Sequence, residues 1–238
     1  MISIVFSAYN EENTVEELCA RIVRAMSTVG SFEIVGVDNA STDTTRSKLL
    51  QIPGIKVVSL EKNRGQAAGL DAGIRVAKGD IICTLDADLQ NDPLDIPGML
   101  QKIENGYDVV VGWRKARHDN VRRRIFSRLA NFVTSAGTGL WLHDYSCGIK
   151  TFKKSLLGNI RLEGVLHVFL PAILFHRGAR LYEMPVRHHE RKFGTSKYSV
   201  MRMSMYIVDL FLVRLKYLRP SFGTQRFAPF FEGASKNP

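Results

Sequence analysis

Cysteine is scarce in this sequence. Cys19, Cys83 and Cys147 are the only three in 238 residues, odd in number, widely separated and without a CxxC spacing. That excludes a disulfide framework and a zinc knuckle and points to a reducing compartment. Long apolar runs are also missing. The apolar, aromatic stretch "YSVMRMSMYIVDLFLVRLKYL", starting at residue 198, is broken by Arg202, Asp209, Arg214 and Lys216. It therefore lacks the uninterrupted run of about 18 to 20 apolar residues that a membrane-crossing helix needs. No basic-then-apolar signal segment opens the chain, where "MISIVF" runs straight into "SAYNEENT", so secretion is not expected. The composition is not that of a disordered chain, with 45% apolar and 24% charged residues, enough for one substantial core with an appendage.

Acidic residues become sparse after the middle. Residues 1–110 hold 10 Lys/Arg against 16 Asp/Glu, a net −6, whereas residues 111–238 hold 23 against 7, a net +16. A basic half suits nucleic acid, anionic lipid or a phosphorylated substrate, and composition does not choose among them.

The first half alternates strand and helix. "ISIVFS", "FEIVGVD", "IKVVSL", "GDIICTLD" and "YDVVVGW" read as buried strands, with helical patterns between the first four. The first helix places Val15, Leu18, Ile22, Val23 and Met26 on one face. Continuous apolar strands joined by helical crossovers predict an α/β fold with a mainly parallel sheet covered on both faces. Ligands in such sheets bind beyond the carboxyl ends of the strands. "SAYNEE", "DNASTD" and "DADLQ" each follow a strand, so their polar side chains are expected on one rim. Ser41 and Asp43 suit helix capping equally well, whereas Asp38, at a strand end, is read as functional.

Asp86 and Asp88, one residue apart at a strand end, repel each other and are costly to desolvate unless a cation lies near. A hard divalent ion, Mg²⁺ or Mn²⁺, answers this, because it prefers oxygen ligands and completes its shell with substrate phosphates. Asp86, Asp88 and Gln90 are the candidate metal ligands; the plainer reading is a polar loop ahead of Pro93. A transition-metal site from His188, His189 and Cys147 is not favoured, since adjacent side chains rarely converge on one ion.

Six segments, "SIVFSAYNEENTV", "VDNASTD", "NRGQAAGLDAGIRVAKGD", "TLDADLQNDP", "HDYSCGIKTF" and "ERKFGTSKY", together resemble family 2 glycosyltransferases over roughly residues 2–200. Within that family they look like the dolichyl- or polyprenyl-phosphate sugar synthases, of the dolichol-phosphate mannose synthase kind. The resemblance implies a GT-A fold that moves a sugar, with inversion, from a nucleotide-sugar (GDP-mannose or a UDP-sugar) to a lipid phosphate, dependent on Mg²⁺ or Mn²⁺. It implies that Ala8, Tyr9, Glu11, Asp38 and Asp86 bind the nucleotide-sugar and that Asp88 serves catalysis. It places Asp144 as a base or orienting group, and Arg191 and Lys197, with Gly194 and Ser196, on a loop that closes over the diphosphate. Two departures stand out. Ser7 replaces the family's usual proline, and Asp38-Asn39-Ala40-Ser41 stands where Asp-Asp-Gly-Ser is common.

The stretch "GWRKARHDNVRRRIFSRLAN" carries seven Lys/Arg between residues 114 and 128, and at helical spacing Arg123 and Ser127 share a face. On the resemblance, Arg114, Arg123 and Ser127 hold the acceptor phosphate, a task that suits arginine's fork of donors. Arg122, Arg124 and Arg128 are left to the membrane surface. The expected layout is a catalytic domain over residues 1–197, with a nucleotide-sugar half (1–112) and an acceptor half (113–197). Residues 198–238 follow as an amphipathic helix and tail that lies on a membrane or mediates homo-oligomerisation, with packing on the protein's own core as the alternative. The expected partners are the donor, a polyprenyl or dolichyl phosphate and the cytoplasmic face of a membrane, with peripheral attachment and no nucleic acid. A saccharide acceptor, or an inactive basic module that binds membrane or nucleic acid, are the competing readings.

Overall fold

In the computed structural model, residues 1–115, 121–190 and 200–218 are described. Seven strands form one sheet: β1 (Ile2–Ala8), β2 (Phe32–Asp38), β3 (Ile55–Ser59), β4 (Ile81–Asp86), β5 (Val109–Trp113), β6 (Lys150–Lys153) and β7 (Leu181–Pro185). Their order across the sheet is β3-β2-β1-β4-β6-β5-β7. All neighbouring pairs are parallel except those of β6, which runs antiparallel to both β4 and β5. The helices are α1 (Val15–Met26), α2 (Thr45–Gln51), α3 (Gly65–Val76), α4 (Ile96–Glu104), α5 (Val121–Thr138), α6 (Leu166–His176) and α7 (Val200–Tyr217).

Both sheet faces are buried, as the unbroken apolar strands require. On β1, Ile4 and Phe6 join the layer that contains α1 and α4, and Val5 joins the opposite layer, where α3, α6 and α7 lie. Helix α1 buries Val15, Leu18, Cys19, Ile22, Ala25 and Met26. Val23, assigned by periodicity to that face, is instead 53% exposed, because the buried stripe turns through Cys19 rather than past Ile22. Glu16 and Glu17 in the first turn and Arg24 in the last complement the helix dipole. All three cysteines are buried and free.

The longest element the sequence pattern concealed is α6, which buries Phe169, Leu170, Pro171, Ala172, Ile173 and Leu174. A helix apolar on every side shows no stripe from which to read a period. Helix α7 does two things at once. It buries Leu210 and Val213, and Tyr206 shares a 2.7 Å hydrogen bond with Thr134 of α5, while Val208, Phe211, Leu212 and Leu215 stay exposed. Among the described residues no helix is long and apolar enough to cross a membrane.

Helix α3 lies so close to the sheet that only glycine fits at two positions one turn apart. A Cβ on Gly73 would stand 2.5 Å from Val5 Cγ1 and 2.9 Å from Val37 Cγ2, and one on Gly69 would stand 2.1 Å from Ser7 Oγ. Gly73→Val is therefore expected to destabilise the fold by about 1–3 kcal/mol through overpacking, measured as a lower urea midpoint with an unchanged slope. An unaltered midpoint would show that the helix can lift off the sheet freely.

Candidate active site

Register brings the polar strand ends together. Ser7 of β1 is paired with Asp86 of β4, and Ala8 of β1 with Asp38 of β2. The strand order reverses between β1 and β4, the switch point beyond which parallel sheets open a crevice. Each of the three loops there holds a non-glycine residue in the left-handed region: Asn10 (φ 55°), Ala40 (φ 58°) and Leu89 (φ 62°). Such conformations cost energy and collect where a loop must aim side chains at a ligand. Ala40 stands where the resembling family commonly has glycine, the residue best suited to that angle. A cavity of about 340 Å³ opens beneath these loops.

Asp86, Asp88 and Gln90 border this cavity together. Burial pushes the Asp86 carboxyl up to about 6, and nearby Asp88 pushes in the same direction; Lys150, Arg114 and a hydrogen bond from Gln66 pull the other way. The Gln66 amide donates to Asp86 Oδ1, and the Gln90 N–H donates to Asp88 Oδ1 at 3.1 Å. The chain closes in behind as well, since a Cβ on Gly148 would stand 2.0 Å from Asp86 Oδ2. Among the described residues no three His, Cys, Asp or Glu side chains gather around one point. Two crowded carboxylates and an amide beside an open cavity fit a hard divalent ion that draws its remaining ligands from phosphate and water. The His188, His189 and Cys147 alternative finds no support: His189 Nε2 lies 3.0 Å from Asp92 Oδ2, and Cys147 Sγ accepts from Asn91 at 3.7 Å.

Tyr9 and Glu11 line the cavity together with Asn39, Asn63 and Gly65. Ala8 and Asp38 sit deeper. Ala8 is fully buried, and Asp38, 2% exposed, receives the Ser41 N–H at 3.2 Å. Asp38 thus shapes the loop of which it is part. Asn39 accounts for its own departure from the family pattern: its Nδ2 donates to the Gly65 carbonyl at 3.0 Å while its Oδ1 accepts the Arg64 N–H at 3.1 Å. A carboxylate there could not donate. Asp43 accepts from the Thr45 and Glu12 N–H groups, and Ser41 Oγ from the Asn10 N–H at 3.1 Å, so both brace loops.

Arg114 also borders the cavity and is held from behind. Its Nε donates to Asp144 Oδ2 at 2.6 Å, and its Nη2 donates to Asp144 Oδ1 and to Ser146 Oγ, both at 2.8 Å. Asp144 is 1% exposed. The residue expected as a base or orienting group is therefore committed as the bidentate anchor of Arg114, which sets its geometry toward orientation. Glu183, in β7, fixes that anchor in turn. Its Oε1 accepts the N–H groups of His143 and Asp144 at 2.8 and 3.1 Å, and its Oε2 lies 2.6 Å from His143 Nδ1. Trp113 stacks on the His143 ring at 4.1 Å. Burial raises the Glu183 carboxyl above its ordinary range despite the His143 contact.

Ser127 is half-buried on α5 and Arg128 is exposed. The Arg123 side chain, and Arg191, Gly194, Ser196 and Lys197, lie outside the described residues. The segment leading toward Arg191 is stitched to the acidic loop, since the His189 N–H donates to the Gln90 carbonyl at 2.9 Å. Sequence reading passed over Gln66, Gly148, Lys150, His167 and Glu183. Only Glu183, a lone acid inside the strand "LYEMP", left a signal.

Residues 3–161 match the glycosyl transferase family 2 profile. The chain belongs to glycosyl transferase family 2. Among its relatives, the dodecaprenyl-phosphate galacturonate synthase of Rhizobium johnstonii is 40% identical over 222 residues, which cover 89% of this chain and 66% of that protein. An undecaprenyl-phosphate 4-deoxy-4-formamido-L-arabinose transferase of Edwardsiella ictaluri is 37% identical, over 88% of this chain and 66% of that one. This family 2 chain thus spans just under two thirds of the length of these relatives. In three dimensions it is similar to glucosyl-3-phosphoglycerate synthase of Mycobacterium tuberculosis solved with Mn²⁺ and UDP-glucose. The TM-score is 0.70 and the identity 19%, over 90% of this chain and 78% of that one, which shows a shared GT-A-like fold.

Two outcomes follow from the geometry. The Asp86 carboxyl binds its proton more tightly in the folded chain than in the unfolded one, so wild type carries no penalty from this group below about pH 4. A penalty builds between about pH 4 and pH 6 and levels off at roughly 3 kcal/mol above that. Asp86→Asn should therefore melt higher than wild type at pH 7.5 without metal, with the gap closing toward pH 4; a gap independent of pH would contradict the burial argument. Asn39→Asp should cost about 1–3 kcal/mol by leaving the Gly65 carbonyl against a carboxylate, read as a lower melting point at neutral pH.

Proposed function

We propose that this family 2 glycosyltransferase transfers a sugar, with inversion, from a nucleotide-sugar to a polyprenyl or dolichyl phosphate at a membrane surface. The observation that carries the reading is the division of one cavity into an acidic wall, Asp86 and Asp88, and a braced cation, Arg114. The names of the Rhizobium johnstonii and Edwardsiella ictaluri relatives, both polyprenyl-phosphate sugar transferases, supply the acceptor class.

Asp86, Asp88 and Gln90 would hold Mg²⁺ or Mn²⁺, which supplies Lewis-acid neutralisation of the diphosphate that departs with the nucleotide. Tyr9 and Glu11 face the nucleoside end. Arg114 keeps its charge, because Asp144 holds it and its guanidinium is raised further above the ordinary range. It directs its free edge to the acceptor phosphate, with Ser127 and Arg123 as further contacts from α5. A lipid phosphate is already an oxyanion near neutral pH, so its oxygen can attack the anomeric carbon on the face opposite the leaving diphosphate with no base to deprotonate it. A sugar hydroxyl would need a base, and Asp144 is fully engaged with Arg114, which weighs against a saccharide acceptor. Arg191 and Lys197 would add positive charge over the diphosphate as the nucleotide leaves.

The exposed apolar residues of α5 and α7, among them Leu129, Phe132, Phe211, Leu212 and Leu215, supply a surface for shallow insertion beside the acceptor. This suits peripheral attachment at the cytoplasmic face, and the same surface serves a contact between copies of the chain.

Transfer from UDP- and GDP-sugars to a short polyprenyl phosphate tests the reading. EDTA and Asp88→Ala should each abolish turnover. Arg114→Lys, which keeps the charge and loses the fork, should raise the acceptor KM about tenfold and leave the donor KM unchanged. Turnover indifferent to both EDTA and lipid phosphate would sink it.

A further inference from the structure

His167, the second residue of α6, borders the cavity together with Lys150, Leu162 and Leu170, and Lys150 lies near enough to both His167 and Asp86 to act on each electrostatically. The proposed reaction gives it no task. Its Nδ1 is sealed from water and has no hydrogen-bond partner, so packing rather than a polar anchor holds the ring. An unpaired buried nitrogen weakens a fold, and an apolar side chain of similar size would avoid that cost. Natural proteins retain such features where the group serves a ligand. Burial, aided by nearby Lys150, pushes the ring down to about 3, so the imidazole is neutral at physiological pH. A neutral ring offers one N–H and one lone pair, a match for a hydroxyl and a poor one for a phosphate.

The order of parts in the donor fixes which hydroxyl. A nucleotide-sugar is a nucleoside, a diphosphate and a sugar in sequence. With the nucleoside at Tyr9 and Asn39 and the diphosphate at Asp86 and Asp88, the sugar ring falls toward Lys150 and His167. We propose that the His167 imidazole hydrogen-bonds a hydroxyl of the transferred sugar and is a specificity-determining residue of the donor site. This rests on the donor reading above. It assigns α6, rather than the strand-end loops, to the selection of the sugar.

Calorimetric titration in Mn²⁺ with UDP against UDP-glucose, and with GDP against GDP-mannose, tests both levels separately. Wild type that binds neither nucleotide-sugar would overturn the donor reading and this inference with it. If wild type binds one, His167→Leu should bind the parent nucleotide within about twofold of wild type and the nucleotide-sugar about tenfold more weakly. His167→Gln, which keeps a donor and an acceptor, should recover part of that loss. The melting point of His167→Leu should equal or exceed that of wild type, an outcome that a merely structural histidine would not give. Equal weakening of nucleotide and nucleotide-sugar, or unchanged donor binding with a raised KM for polyprenyl phosphate, would overturn the inference while leaving the donor reading intact.

Discussion

Asp86 is crowded from every direction. Asp88 lies two residues on, the Gly148 backbone leaves no room for even a methyl group, and Gln66 holds one oxygen. A carboxylate in that position is unfavourable to ionise without a cation, and the proteins that keep such groups use them. The surrounding architecture serves this arrangement. Strand β1 places Ser7 beside Asp86, α3 can approach because Gly69 leaves space over Ser7, and Lys150 offsets part of the charge from the floor.

The Arg114 wall of the cavity has the opposite character, a cation made rigid. Arg114 is gripped by Asp144, whose backbone N–H is held by Glu183, which also binds His143. These residues come from the end of β5, the segment before β6, and β7, so three parts of the chain fix one guanidinium. Removing any member would leave a buried charge or polar group without its partner. A fixed fork recognises a phosphate with little loss of side-chain freedom on binding.

Much of this was legible in the residues themselves. The parallel strands β1 to β4 showed as apolar runs, and the polar segments after them reached the expected rim because strand direction alone decides it. Strand β6 is too short to show a period, α6 is apolar all round, and β7 is half covered, so none announced itself. Residue roles were harder. Asp38 and Asp144 are polar residues beside a site, yet one braces a loop and the other an arginine, and only side-chain direction separates such a part from contact with a ligand. Gln66 and His167 belong to helices far away in sequence, and no local pattern relates either one to Asp86.

The reversed strand has a wider implication. Because β6 runs against β4 and β5, its first residue, Lys150, stands at the same rim where β4 delivers Asp86. The bottom of the crevice is thus laid by hydrogen-bonded main chain rather than by a hinged segment, and it resists remodelling. A lineage that adopts a new substrate on this scaffold would leave that platform alone and exchange side chains above it, which confines innovation to a few positions and spares the fold the expense of each trial.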